Sequence, residues 1–207
     1  MKKIMDKLKN RISYNKKIML FLTILTIIGI ITGAFLIAIL NVSDKNLIKE
    51  YIQTFIDNIN SFNYIESLKN SLIISLILTI GIWILGISVI GLLFVILIIF
   101  WKSFVLGFTI SSFIITYNLK GLMLSFVYIF PSFIINLLVL MYLGSYSIKF
   151  SLIIIKSIVS KKKLELSKLM HKYLIVLILT LIINLLTSLF EVFITPILLK
   201  GVATFLF

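Results

Sequence analysis

One stretch of the sequence, residues 71–148, limits the fold more than any other feature because it is apolar almost throughout. Only two charged residues, Lys102 and Lys120, interrupt it. A helix of a soluble domain keeps one polar face toward water, whereas a helix that crosses a bilayer needs about 20 mostly apolar residues. The stretch therefore predicts three membrane-spanning helices that are separated near the two lysines.

The composition and the charge distribution agree with a membrane protein. Hydrophobic residues make up 61% of the chain, charged residues make up 13%, and the mean hydropathy is +1.21. The net charge of +13 does not indicate nucleic-acid binding, because it is concentrated in two clusters and is not spread over a solvated surface. Residues 1–17 and residues 149–172 each carry seven basic residues and one acidic residue, a net charge of +6. Both clusters suit anionic lipid head groups.

The two basic clusters predict the topology, because Lys and Arg are retained on the cytoplasmic side. Residues 41–70 carry three lysines and four acidic residues, a net charge of −1, and are predicted to be extracytoplasmic. If both clusters lie in the cytoplasm, an even number of membrane spans must separate them. The helix at 18–40 is one of these spans, so an odd number of spans must follow it before the second cluster. We predict one all-α, polytopic membrane domain with a cytoplasmic N-terminal helix at 1–17 and an extracytoplasmic tail at 196–207. Its five spans are predicted at residues 18–40, 71–92, 95–117, 122–146 and 173–195.

The extracytoplasmic segment has apolar residues at helical spacing, which predicts an amphipathic helix of about four turns. Ser43 or Asp44 is expected to cap its start. The apolar face has two interpretations: it lies on the outer leaflet or on the bundle, or it docks a partner protein. The predicted docking residues are Leu47, Ile48, Tyr51, Ile52, Phe55, Ile56 and Ile59.

Small residues and one proline mark predicted packing and bending positions in the spans. Gly29 and Gly33 form a GxxxG pair, which lets another helix approach closely and permits a homo-oligomer. Small residues at 71, 75 and 79 form a second predicted packing stripe. The remaining predicted packing or kink positions are Gly81, Gly86, Gly91, Gly107 and Pro131.

Lys102 has two predicted positions. If the second helix ran to Phe100, Lys102 would lie at the inner interface. If the turn fell near Gly91, Lys102 would lie within the third helix and would either snorkel inward or find a partner. The other polar residues predicted at or near membrane depth are Asn136, Asn184 and Glu191. Hydrogen bonding between helices is one interpretation of these residues, and an ion or substrate pathway is the other.

The sequence contains no motif that indicates catalysis or a cofactor. It has no cysteine, and His171 is its one histidine. Nucleotide-binding loops, metal-ligand clusters and nucleophile–base pairs are not found, and the seven acidic residues are scattered. We therefore expect a protein that is not an enzyme and holds neither a metal nor a cofactor.

The order of these features resembles the stage II sporulation protein M family. The resemblance covers nearly the whole chain, and it is strongest from about residue 66 to residue 151. Two positions depart from the family pattern: Ser132-Phe133 replace a polar pair, and Ser103 replaces a glycine. The residues that carry the resemblance are Asn70, Gly81, Gly86, Gly91, Trp101-Lys102-Ser103-Phe104, Gly107-Phe108, Lys120-Gly121 and Pro131.

The resemblance implies a scaffold in the mother-cell membrane at the sporulation septum. By that resemblance, the chain recruits two extracytoplasmic peptidoglycan-remodelling enzymes, the stage II sporulation proteins D and P, while the forespore is engulfed. The competing interpretation is a transporter or permease subunit of the cytoplasmic membrane. A scaffold depends on the outer segment 41–70, whereas a transporter depends on intramembrane residues such as Lys102 and Glu191.

Overall fold

The computed structural model describes residues 2–58, 63–129, 132–160 and 166–206, and within them it has seven α-helices and no β-strand. The helices are α1 (Lys2–Ile39), α2 (Val42–Asp57), α3 (Tyr64–Ile87), α4 (Gly91–Ile129), α5 (Ser132–Ser160), α6 (Leu166–Phe193) and α7 (Thr195–Leu206). Five segments of this part of the chain are long and apolar enough to cross a membrane; they lie in α1, α3, α4, α5 and in α6 with α7. The predicted all-α membrane bundle is confirmed.

Contacts between the helices show that the five long segments alternate in direction. α1 runs parallel to α4 and antiparallel to α5, while α3 runs parallel to α5 and antiparallel to α6. Consequently α1, α4 and α6 point one way and α3 and α5 point the other way. The contacts that establish this are Gly29–Phe100, Gly33–Phe108, Asn15–Lys149, Thr26–Met141, Ser75–Ser188, Thr79–Asn184, Ser75–Asn136 and Gly86–Ser151.

The two ends of the bundle differ in charge. Lys149 donates a hydrogen bond to Asn15 at 2.6 Å, near Lys16 and Lys17, and the turn at 88–90 lies at this same end. We call it the basic end, and that it faces the cytoplasm stays a prediction of the positive-inside rule. The opposite end, here called the outer end, holds α2, the start of α3 and the α6–α7 junction.

Two tight turns reverse the chain, one at each end. A β-carbon on Gly91 would overlap the carbonyl oxygen of Leu85, so the turn at 88–90 requires glycine there. At the outer end, Asn118 interrupts α4 with φ 53° and ψ −129°, a positive φ that asparagine adopts more readily than most residues. Gly121 then lies against the carbonyl oxygen of Phe113. Eight residues of a straight helix would separate these two by about 12 Å, so the chain folds back at Asn118.

Several helix bounds differ from the predicted spans because a helix continues where it leaves the membrane. Helix α1 is continuous from the basic segment 1–17 into the first span, and α3 already begins at Tyr64. The predicted second span, 71–92, extends through the turn at 88–90. The predicted fourth span, 122–146, begins in the return segment 119–129 that follows the interruption at Asn118, and it ends within α5, which itself extends to Ser160. Pro131 and its predicted kink lie outside the described residues.

The tightest packing in the bundle joins α1 to α4. A β-carbon on Gly33 would overlap the backbone carbonyl of Phe104, and one on Gly107 would overlap that of Ile30. At Gly29 it would lie 2.7 Å from the β-carbon of Ser103. The GxxxG pair therefore packs inside the chain, and a homo-oligomer, which stays a prediction, would use another surface.

The other predicted packing glycines have different surroundings. Gly86 lies against the hydroxyls of Tyr173 and Ser147, so that α3, α5 and α6 meet there. Gly81, by contrast, has nothing within 4 Å of the position of a β-carbon. Nothing in its surroundings requires glycine at residue 81.

Candidate functional site

Helix α2 is the principal element of the outer end, and local contacts fix where it begins. Asn41 precedes it with extended backbone (φ −65°, ψ 161°), and Asp44 lies in its first turn, where a carboxylate is favourable toward the helix dipole. Ser43 and Asp44, the predicted caps, therefore lie just inside the helix. Lys45 donates to the carbonyl of Ala38 at 2.8 Å. This bond joins the first turn of α2 to the last turn of α1.

One side of α2 is packed on the bundle. Ile52 and Ile56 are 7% and 8% exposed, and Phe55 contacts the Tyr128 ring edge-on with centroids 5.6 Å apart. Burial of two isoleucines is worth about 3–6 kcal/mol, which is enough to hold a four-turn helix in one place. The buried members of this cluster are Ile52, Ile56, Phe113, Leu124 and Leu199.

The opposite side of α2 faces away from the bundle and is polar. It carries two carboxylates and several uncharged polar groups in a fixed orientation. We call this set the outer surface of α2: Asn46, Glu50, Gln53, Thr54 and Asp57, all exposed. The periodicity of the sequence predicted the apolar face of α2 but was not used to predict this polar surface. The same helical spacing also places these five polar residues on one side of the helix.

Some residues of the predicted docking face are buried against the bundle, and others are exposed. Ile52 and Ile56 are buried, Ile48 and Phe55 are half-buried, and Ile59 lies outside the described residues. Leu47 and Tyr51 are 64% and 73% exposed, and they lie along the flank of α2. A partner could reach this flank and the outer surface while α2 stays packed, but it could not reach the two buried isoleucines.

A second feature is a line of side-chain hydrogen bonds along α3, which we call the polar ladder. In its outer half, Ser71 donates to Glu191 at 2.9 Å, and Asn184 donates to Thr79 at 2.6 Å. Between them, Ser75 bonds to α6 and α5; its partners are Ser188 at 3.3 Å and Asn136 at 3.4 Å. Polar groups in hydrocarbon must be paired within the protein, and the ladder pairs them across three helices.

The inner half of the polar ladder uses residues that sequence analysis did not select. Ser147 donates to the carbonyl of Ile82 at 2.9 Å and contacts the hydroxyl of Tyr173, which donates to the carbonyl of Trp83 at 2.8 Å. One turn further, Ser151 donates to a carbonyl at the end of α3. The sequence did contain an indication of this inner half, because Ser147 and Ser151 are four residues apart and therefore lie on the same face of a helix.

Two buried side-chain atoms at the ladder have no hydrogen-bond partner among the described residues: the Asn184 oxygen and the indole nitrogen of Trp83. Asn184 is 2% exposed. No cluster of three metal-ligating side chains occurs in the described part of the chain. The arrangement joins α3, α5 and α6.

The structure decides between the two predicted positions of Lys102. Because the turn falls at 88–90, Lys102 lies within α4, roughly 16 Å along the helix from Gly91. Its ammonium group lies 5.6 Å from the centroid of the Phe133 ring, in the first turn of α5. The side chain therefore points into the bundle toward the outer half, whereas snorkelling would direct it to the basic end. Glu191 is exposed at the outer end, where it accepts the hydrogen bond from Ser71.

The substitution Thr79→Val tests the polar ladder. Valine keeps the shape of threonine but removes the acceptor for the Asn184 amide, so we expect a loss of about 1–2 kcal/mol of stability. Thr23→Val is the matched control, because the exposed Thr23 hydroxyl bonds only to its own helix at Met19; we expect a change within about 0.5 kcal/mol. Thermal unfolding in detergent measures both. Equal effects would show that the ladder does not stabilise the bundle.

Comparison with known protein families identifies a match over most of the chain. A family model described as Stage II sporulation protein M matches residues 22–196. No curated protein matches the chain. No solved structure matches it either. The matched region begins in α1 and ends in the first turn of α7, so it includes α2 and the whole polar ladder.

Proposed function

Because the chain belongs to the stage II sporulation protein M family, we propose that it is a non-enzymatic scaffold that holds peptidoglycan-remodelling enzymes at the sporulation septum. At the coarser level, it is a multi-pass membrane protein of a sporulation family. The proposed partners are the stage II sporulation proteins D and P. The proposed location is the mother-cell side of the septal membrane, where wall remodelling accompanies engulfment of the forespore.

The observation that carries this proposal is the fixed position of α2 at the outer end. A scaffold needs a surface that keeps its orientation relative to the membrane, and Ile52 and Ile56 supply the attachment. The outer surface of α2 then presents two carboxylates, Glu50 and Asp57, to extracytoplasmic proteins. A docking surface does not require a catalytic group. The hydrogen bonds of the polar ladder join helices to one another, which is consistent with a scaffold.

Deletion of the gene in a spore-forming host tests the proposal. Membrane-dye microscopy through spore formation should show normal vegetative growth, followed by arrest with a flat or bulging septum. Complementation with the unaltered gene should restore engulfment. Normal engulfment in the deletion strain, with no second copy of the gene present, would contradict the proposal.

The transporter alternative predicts that function is lost on substitution of a different set of residues. Lys102→Met and Glu191→Gln remove the two charges nearest to membrane depth, and the scaffold proposal expects both variants to support engulfment. Loss of function in either variant, at normal abundance in the membrane, would favour transport. Lys102 lies against the Phe133 ring and Glu191 accepts a hydrogen bond from Ser71, so each charge has a contact within the protein.

A further inference from the structure

Helix α5 continues past the level at which the bundle leaves the membrane. The Lys149 ammonium group donates to Asn15 at 2.6 Å, and the exposed Lys16 and Lys17 follow Asn15 in α1. Since lysines are costly within hydrocarbon, the boundary of the hydrocarbon lies near these three residues. α5 nevertheless runs on to Ser160. At a rise of 1.5 Å per residue, Val159 lies about 15 Å beyond Lys149.

This distance places the end of α5 outside the lipid head groups. The head-group region adds about 5–8 Å to each side of the hydrocarbon, and a typical helix tilt of about 20° shortens the projection by only about 1 Å. To bring Val159 into the hydrocarbon, the membrane would have to shift by about 15 Å and bury Lys16, Lys17 and Lys149. The end of α5 therefore lies in water.

The parts of α5 and α6 beyond the boundary are packed at their base and exposed at their end. We call them the basic extension: residues 152–160 of α5 and residues 167–172 of α6. The base is packed against the core of the bundle by Leu152, Ile154, Leu169 and Met170. Ile158 and Val159, one turn further along α5, are 68% and 79% exposed. Two adjacent apolar side chains thus project into water from a helix whose base is held.

Exposed cations lie around this apolar pair. Lys156 precedes Ile158 on α5 by less than one turn, and Lys168 and Lys172 are exposed on α6. Residues 149–172 as a whole carry a net charge of +6. An apolar centre with a polar, solvent-accessible rim is the composition of a protein-docking site. A basic rim is complementary to an acidic partner.

The same observations argue against the other occupants. A second copy of the basic extension and the N-terminal segment 1–17 both belong to clusters with a net charge of +6, so like charges oppose either contact. Nucleic acid would bind the lysines and leave Ile158 and Val159 exposed. We propose that the basic extension docks a protein through an acidic surface of that protein, which also contacts Ile158 and Val159. The positive-inside rule predicts that this partner is cytoplasmic.

This docking is independent of the proposed scaffold role. It uses the end of the bundle opposite α2, and none of its residues belongs to the outer surface of α2. Together, the two surfaces would join a protein on the basic side of the membrane to enzymes on the outer side.

Site-specific photo-crosslinking in sporulating cells tests the proposal. A photoreactive amino acid replaces Val159 in the full chain, and mass spectrometry identifies the products. We expect a protein whose own sequence has a net negative charge. Lys156→Glu should lower the yield of this product roughly fivefold, because attraction becomes repulsion at the rim. Lys200→Glu is the matched control: it makes the same change of charge at an exposed lysine of α7, at the outer end, and should leave the yield unchanged.

The other outcomes would overturn the proposal. Label on phospholipid would show that the basic extension lies on the membrane, and label on nucleic acid would show that its lysines bind phosphate. A cross-linked pair of chains would show that a second copy occupies it. A protein product whose yield Lys156→Glu does not change would show that charge does not select the partner. No product at Val159, while the same group at the exposed Leu138 of spanning α5 labels lipid, would show that nothing docks there.

Discussion

Gly33→Ala and Gly107→Ala, each of which adds one methyl group, are expected to destabilise the bundle more than any other single change considered. In both cases the methyl group would overlap a backbone carbonyl of the facing helix, so α1 and α4 must separate along their length. Backbone cannot move aside as a flexible side chain does. We expect a loss of about 3 kcal/mol and a fall in the melting temperature of roughly 6–12 °C.

Gly81→Ala is the control for these two variants. It is the same substitution within a spanning helix, but nothing lies within 4 Å of the added methyl group. Its stability should be unchanged or slightly higher, because alanine favours helix more than glycine does. Melting in detergent, followed by fluorescence size-exclusion chromatography, measures all three. A similar melting temperature for Gly33→Ala and Gly81→Ala would contradict the close α1–α4 contact.

The double substitution Ile52→Asp with Ile56→Asp is expected to release α2 from the bundle while the five spans stay inserted. Each change places a carboxylate in a cluster of buried apolar residues, at a cost of several kcal/mol. The released helix should become sensitive to trypsin at Lys45 and Lys49 in spheroplasts, because an unpacked helix opens readily. Under the scaffold proposal, engulfment should fail as well.

Asn46→Asp with Gln53→Asp is the matched control for packing of α2. It adds the same two charges to exposed positions of the same helix, so α2 should stay resistant to trypsin. If the Ile52→Asp, Ile56→Asp variant is present at normal abundance and its α2 stays resistant to trypsin, then Ile52 and Ile56 do not hold α2 on the bundle. If α2 is released and engulfment still proceeds, α2 is not the docking surface.

Sequence reasoning predicted the elements that depend on composition. Length and hydropathy were sufficient for five long apolar helices, because a bilayer imposes them on any chain of this composition. The helical spacing of the apolar residues also predicted α2. Helix ends were less accurate, because hydropathy reports where a helix meets lipid and not where its hydrogen bonds stop. The spans were predicted to separate near Lys120, and α4 is indeed interrupted at Asn118, two residues earlier.

The contacts between helices could not be predicted from spacing. Gly33 and Gly81 are equivalent in the sequence, as glycines in apolar helices, yet one touches backbone and the other touches nothing. The partner of Asn184 is Thr79, more than a hundred residues away, and periodicity within either helix does not identify it. The division of the docking face into buried and exposed residues likewise depends on where α4 and α7 lie.

Site-specific photo-crosslinking from the outer surface of α2 tests the central claim most directly. A photoreactive amino acid at Gln53 in sporulating cells should cross-link to an extracytoplasmic wall-remodelling enzyme. The same group at Ile77, which is exposed on the membrane-spanning part of α3, should not. Cross-links at Gln53 that identify the stage II sporulation protein D or P would support the scaffold. Two results would contradict the scaffold. One is a functional variant that gives no protein cross-link at Gln53, and the other is the same set of protein cross-links at Gln53 and at Ile77.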